Sequence, residues 1–160
     1  MLQFSPEEIQ QTANELSLIL ITAISGPSLT FAEISTNKVQ GLYIIFDEKE
    51  VLYAGKTSRT GKLRMRELAA DFRSHTFNRK LLSIRMKEHG FDFVRIKNET
   101  KALWIKKGLL TEEDFIAHQS AINQHIKTKL KFKFYPVLNT EELTRLEHFA
   151  IAIYDPPFND

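Results

Sequence analysis

Apolar and polar positions alternate in two short stretches, Gly41-Leu42-Tyr43-Ile44-Ile45-Phe46 and Glu50-Val51-Leu52-Tyr53-Ala54, with the charged run Asp47-Glu48-Lys49 between them. Short runs of β-branched and aromatic residues on either side of a polar reversal predict a hairpin. With the loop at Asp47 to Lys49, Phe46 pairs with Glu50 and Tyr43 falls opposite Tyr53. Side chains alternate between the faces of a strand, so both phenols leave one side while Leu42, Ile44, Leu52 and Ala54 fill the other. Farther on, Lys131 to Tyr135 alternates Lys, Phe, Lys, Phe, Tyr before Pro136, which predicts a third, half-buried strand able to join the hairpin. On these residues alone an ordinary packed hairpin and a hairpin that presents chemistry are equally good readings.

The remaining pattern is helical. Ser5-Pro6-Glu7-Glu8 predicts a capped helix reaching about Leu20, and Ser25-Gly26-Pro27-Ser28 ends that unit. Leu29 to Ile34 predicts a short strand. After the polar loop Lys56 to Gly61, the spacing of Met65, Leu68, Ala69 and Phe72 predicts a helix over Lys62 to about Ser74. Phe77 to His89 reads as a second basic helix stopped by Gly90, Phe91 to Ile96 as a strand or extended piece, and Asn98 to Lys107 as a short helix bearing Trp104. Thr111 caps a helix running to about Leu130, with Leu110 and Phe115 as its hydrophobic staple. The last helix opens near Asn139 or Thr140 and must end before Pro156. The sum is an α+β fold, a small three-stranded antiparallel sheet flanked by helices.

Length and composition narrow the picture. At 160 residues, 42% of them hydrophobic, one core is expected and two are not. The absence of cysteine excludes disulfides, thiolate zinc sites and a cysteine nucleophile. Leu16 to Ile24 is too short to cross a bilayer and lacks a cationic leader, so an intracellular, cytoplasmic protein is expected. The histidines lack the spacing of a zinc pair on a helix.

Charge is segregated. The formal net charge is only +2, but Lys56 to Lys107 holds fifteen Lys or Arg against five Asp or Glu. Such a block suits a polyanion, DNA or RNA, although a solvated helical surface also produces one. Lys56, Arg59, Lys62, Arg66, Arg73, Arg79 and Lys80 are the candidate backbone contacts, with His75 in the loop Arg73-Ser74-His75-Thr76 as a further phosphate contact. In the last helix, Glu147 shares its face with Leu143, Ala150, Ile151 and Tyr154. An inward carboxylate needs a partner, because unpaired burial costs several kcal/mol. Either it pairs with an arginine or it holds a hard divalent ion, for which one or two carboxylates suffice when water and phosphate complete the shell.

Taken together, these residues resemble the signature of the GIY-YIG nuclease superfamily. Its first element is matched by Gly41-Leu42-Tyr43 and its second by Tyr53-Ala54-Gly55, with Lys56 next as in the excinuclease branch. The carboxyl end, Glu147, Tyr154, Pro156 and Asn159, looks like that branch's ending. Leu42 and Ala54 stand where the family has isoleucines, and the family's arginine falls on Leu63, so that Arg64 fits with one inserted residue and Arg66 is the fallback. The resemblance spans Gly41 to Asn159. It divides the chain into an N-terminal helical extension, residues 1–40, and a nuclease-like domain, residues 41–160, with a helical insertion over Phe77 to Leu130, all in one compact unit.

The resemblance implies phosphodiester hydrolysis in DNA with one Mg²⁺ or Mn²⁺ per site. It casts Glu147 as the metal ligand, Tyr43 in nucleophile activation and Arg64 at the phosphoryl oxygens, with Tyr53, Lys56 and Asn159 positioning water and phosphate. Elementary chemistry agrees that phosphoryl transfer needs positioning and positive charge. A restriction-type enzyme, a repair nickase, a mobile-element product and a catalytically inactive DNA-binding module all fit these residues.

Overall fold

A computed structural model describes residues 5–91 and 98–159. In chain order the elements are α1 (Pro6–Ser25), α2 (Phe31–Ser35), β1 (Gly41–Phe46), β2 (Val51–Thr57), α3 (Gly61–Leu68), α4 (Thr76–Glu88), α5 (Asn98–Lys106), α6 (Glu112–Lys129), β3 (Lys131–Pro136) and α7 (Thr140–Tyr154). The strands form one antiparallel sheet in the order β2-β1-β3, so the third strand joins the hairpin on the free side of β1. The fold is therefore α+β, as the pattern predicts. The strand expected over Phe91 to Ile96 lies, beyond Phe91 itself, outside the described residues.

The hairpin register differs from the expected one in an instructive way. Phe46 pairs with Val51, Ile45 with Tyr53 and Tyr43 with Gly55, with a bulge between Ile45 and Phe46. The cause is the turn: Asp47 Oδ1 accepts the amides of Lys49 at 2.8 Å and Glu50 at 3.0 Å, which draws Glu50 into the loop. A bulge sets two residues of one strand against one of the other, and here the extra residue is Leu52. Leu52 consequently joins Tyr43 and Ile45 on one face instead of Leu42, Ile44 and Ala54 on the other. The two phenols still share a face, their ring centroids 6.0 Å apart.

Each face of the sheet has its own apolar layer. Tyr43, Ile45, Leu52 and Phe132 pack against α2, α3, α4 and α6, through Ile34, Met65, Leu68, Phe77, Leu82 and Ile126 among others. Leu42, Ile44 and Ala54 pack against α1 and α7, through Leu20, Leu143, Leu146 and Ala150. The described segment before β1 thus covers both faces, α1 one and α2 the other. The expected strand at Leu29 to Ile34 is a helix, because Thr30 and Glu33 form a reciprocal capping box; only Leu29 keeps a β-bridge, to Phe132. Next to it, the Gly61 amide donates to Asn37 O at 2.7 Å, and a Cβ at Gly61 would lie 2.1 Å from Ile34 O.

Two helices also differ in length from expectation. α1 extends five residues past Leu20, since Ile21 to Ser25 contain nothing that breaks a helix before Gly26. α3 stops at Leu68 because Asp71 and Ser74 fold the following residues into turns, with Asp71 Oδ1 accepting the Arg73 amide at 2.8 Å and Ser74 Oγ donating to Glu67 O at 2.6 Å. No helix among the described residues is long and apolar enough to cross a membrane.

Candidate functional site

Strand β2 carries polar side chains and polar contacts on two sides. On the face of the sheet toward α3 and α4, a buried polar cluster gathers around Tyr43. Thr60 caps α3 by accepting the Leu63 amide, which starts the helix so that Arg64 lies over the phenol. Arg64 donates from Nε at 3.1 Å and Nη2 at 2.9 Å to Tyr43 Oη, and its Nη1 reaches Glu67 Oε2 at 3.3 Å. His75 is the N-cap of α4: its Nδ1 accepts the Phe77 amide at 3.1 Å, and its Nε2 lies 3.0 Å from the same Tyr43 Oη. Tyr53 completes the cluster, its ring edge-on to His75 at 5.4 Å and close to Phe77.

Gly55 is the residue that lets this cluster form. A Cβ there would lie 2.7 Å from Tyr43 Oη and 2.6 Å from Tyr53 Cε1, so any side chain would drive the phenols apart. Tyr43 is only 1% exposed. Burial raises its phenol above the ordinary range and the adjoining Tyr53 adds to the rise, while the Arg64 guanidinium opposes both. His75 is 5% exposed, and burial, aided by Arg64 and Arg79, pulls its imidazole down to about 3. The ring is neutral across the physiological range.

The second set lies along the outer edge of β2, where strand amides and carbonyls would otherwise be unpaired. Asn159 binds Ala54 twice, Oδ1 accepting the amide at 2.9 Å and Nδ2 donating to the carbonyl at 2.8 Å. The Phe158 amide donates to Leu52 O at 3.2 Å. Glu147, brought in by α7, accepts the Lys56 amide through Oε1 at 3.0 Å and pairs with Lys56 Nζ through Oε2 at 3.5 Å. Lys56 Nζ also donates to Thr144 Oγ1 at 2.8 Å. The Glu147 side chain remains 16% exposed and that of Lys56 38%. Both wings meet at Gly55 and Lys56, neighbours in β2, which touch Tyr43 and Glu147 respectively.

A metal ion is best tested at Glu147. Among the described residues no group of three or more His, Cys, Asp or Glu could hold one. Glu147 alone offers a carboxylate at the rim with one donor on each oxygen, leaving lone pairs for a hard ion whose remaining ligands are water and phosphate. The residues present therefore fit such an ion, on those terms only.

Of the basic candidates, several are held within the protein. Arg59 pairs with Glu67, Arg73 with Asp71 at 2.7 Å, Arg79 Nε donates to Phe72 O at 3.2 Å, and Lys80 Nζ to Asn159 O at 3.0 Å. Lys62 and Arg66 are exposed, and neither makes an ion pair among the described residues. The two arginines weighed from the sequence differ plainly: Arg64 is on Tyr43, and Arg66 points to solvent. His75, expected at a phosphate, is instead buried behind the phenol. Sequence reasoning missed Glu67 and Thr144 as the holders of Arg64 and Lys56. Glu67 was findable, being three residues after Arg64 on one helix. Thr144 was findable too, one turn before Glu147 on the face toward β2.

No protein-family profile, curated protein or solved structure matches this chain.

Proposed function

We propose that this protein is a divalent-metal-dependent DNA endonuclease that hydrolyses phosphodiester bonds, with a site built on both sides of β2. The observation that carries the reading is the paired contact of Arg64 on Tyr43, one residue of strand away from the Glu147 and Lys56 rim. A tyrosine under a guanidinium, a lysine and a solvent-accessible carboxylate are the groups that phosphoryl transfer needs, and they occur here in the order of the GIY-YIG signature that the chain resembles.

On this reading Glu147 holds Mg²⁺ or Mn²⁺, which when bound supplies positive charge to the phosphoryl oxygens. Lys56, partly exposed and on a flexible stem, turns its ammonium from Glu147 to a phosphate oxygen. Arg64 steadies the Tyr43 oxygen in the orientation from which the two phenols act on water, with Tyr53 as the partly exposed member. Asn159 keeps the β2 edge in register, so that its part in positioning is exerted through Ala54. Lys62 and Arg66, with Arg59, grip the DNA backbone beside the site.

Supercoiled plasmid incubated with magnesium is expected to be nicked, and the nicking to disappear with chelator, in Glu147→Gln and in Tyr43→Phe. Intact plasmid under all conditions sinks the enzyme. One observation favours a second reading, a DNA-binding module without catalysis: Glu147 and Asn159 are both engaged in holding β2. Gel-shift binding with no nicking across linear, nicked and supercoiled DNA selects that reading.

A further inference from the structure

His75 is the buried titratable group that the proposed chemistry leaves unused. Its surroundings fix where its proton sits. Nδ1 accepts the Phe77 amide, so its lone pair is committed, and a neutral ring must then carry hydrogen on Nε2. Nε2 therefore donates to Tyr43 Oη, where Arg64 already directs two N–H groups. Three donors on one phenol oxygen leave its own proton no acceptor on the Arg64 or His75 side. The neighbouring polar side chain on the same face is Tyr53, its ring centroid 6.0 Å from that of Tyr43.

We propose that His75 is a positioning residue: a neutral Nε2–H donor that, with Arg64, turns the Tyr43 proton toward Tyr53, giving one direction from the Phe77 amide through His75 and Tyr43 to Tyr53. The imidazole is a donor in this chain and not the base that receives the phenol proton. The charged and titratable groups around it are Arg64 from α3, backed by Glu67, Arg79 from α4 and Tyr53 from β2, and the two arginines disfavour a second proton on the ring. The consequence for activity rests on the nuclease reading, in which proton exchange with water takes place at the Tyr53 end.

The test has two arms. Long-range ¹H–¹⁵N spectra of histidine-labelled wild-type protein are expected to show His75 protonated on Nε2, with Nδ1 unprotonated, unchanged from about pH 5 to about pH 8, around the ordinary histidine midpoint. Hydrogen on Nδ1, or an imidazolium in that range, overturns the proposal whether or not the protein cuts DNA. In the second arm, His75→Phe keeps the ring volume without the donor, and His75→Gln restores an amide N–H near the Nε2 position. Loss of one such hydrogen bond in the transition state is worth about tenfold, so His75→Phe is expected to lower kcat by about that factor with KM unchanged. His75→Gln is expected to recover most of it. Folded His75→Gln as impaired as His75→Phe sinks the proposal. A wild-type protein that fails to nick refutes the nuclease reading instead, and leaves the spectrum to decide on His75.

Discussion

The two sides of β2 are built on opposite physical terms. Around Tyr43 the phenol and the His75 imidazole are buried, both are bonded, and the donors converge on one oxygen. Around Glu147 the carboxylate and ammonium are partly in water and hold each other at 3.5 Å. Electrostatic contacts are strong where the surroundings are apolar and weak where water competes. The buried wing is therefore preorganised and intolerant of change, while the rim contacts, screened by water, can be broken at small cost. A site that must both hold a fixed geometry and admit a charged ligand gains from having one wing of each kind.

Substitutions can break this contrast in graded order. Gly55→Ala inserts a methyl between the two phenols, and overpacking at this buried point is expected to cost about 3 kcal/mol, read by urea unfolding. Next comes pH. The His75 folded value, lowered to about 3, lies below the unfolded 6.5, so the unfolded chain binds more protons between these limits. His75's contribution is complete above about pH 6.5 and lost as pH falls toward 3, at up to about 1.4 kcal/mol per unit. Urea titrations at successive pH values should show that slope, and His75→Gln should flatten it.

At the rim the effects shrink. Asn159→Ala removes two partly buried hydrogen bonds and is expected to cost about 1–2 kcal/mol, with faster hydrogen exchange at the Ala54 amide as its local signature. Glu147→Gln keeps an oxygen for the Lys56 amide and loses only a partly exposed ion pair, so stability should move by less than about 1 kcal/mol. A loss larger than that of Gly55→Ala would invert the contrast between the wings.

Much of the frame was legible because it rests on short-range rules. The three strands, the caps at Ser5, Thr111 and Asn139, and the inward lean of Glu147 follow from period and capping chemistry. The register was not, because an aspartate turn drew in Glu50 and a bulge moved Leu52 across the sheet. Thr30-x-x-Glu33 was readable as a capping box, yet the apolar run around it suggested a strand. The contacts that define the candidate site join residues far apart in the chain: His75 lies 32 residues from Tyr43, Asn159 lies 105 from Ala54, and no local pattern encodes either meeting.

The glycine at the head of α3 bears on where this protein can be cut. Gly61 is pressed against Ile34 and tied to Asn37, so the helix that carries Arg64 is seated on the segment preceding β1. A chain begun at Gly41 would keep every signature residue and lose the seat of its arginine. The segment before β1 is thus a foundation of the Arg64–Tyr43 contact, and the smallest unit that keeps its support begins upstream of α2.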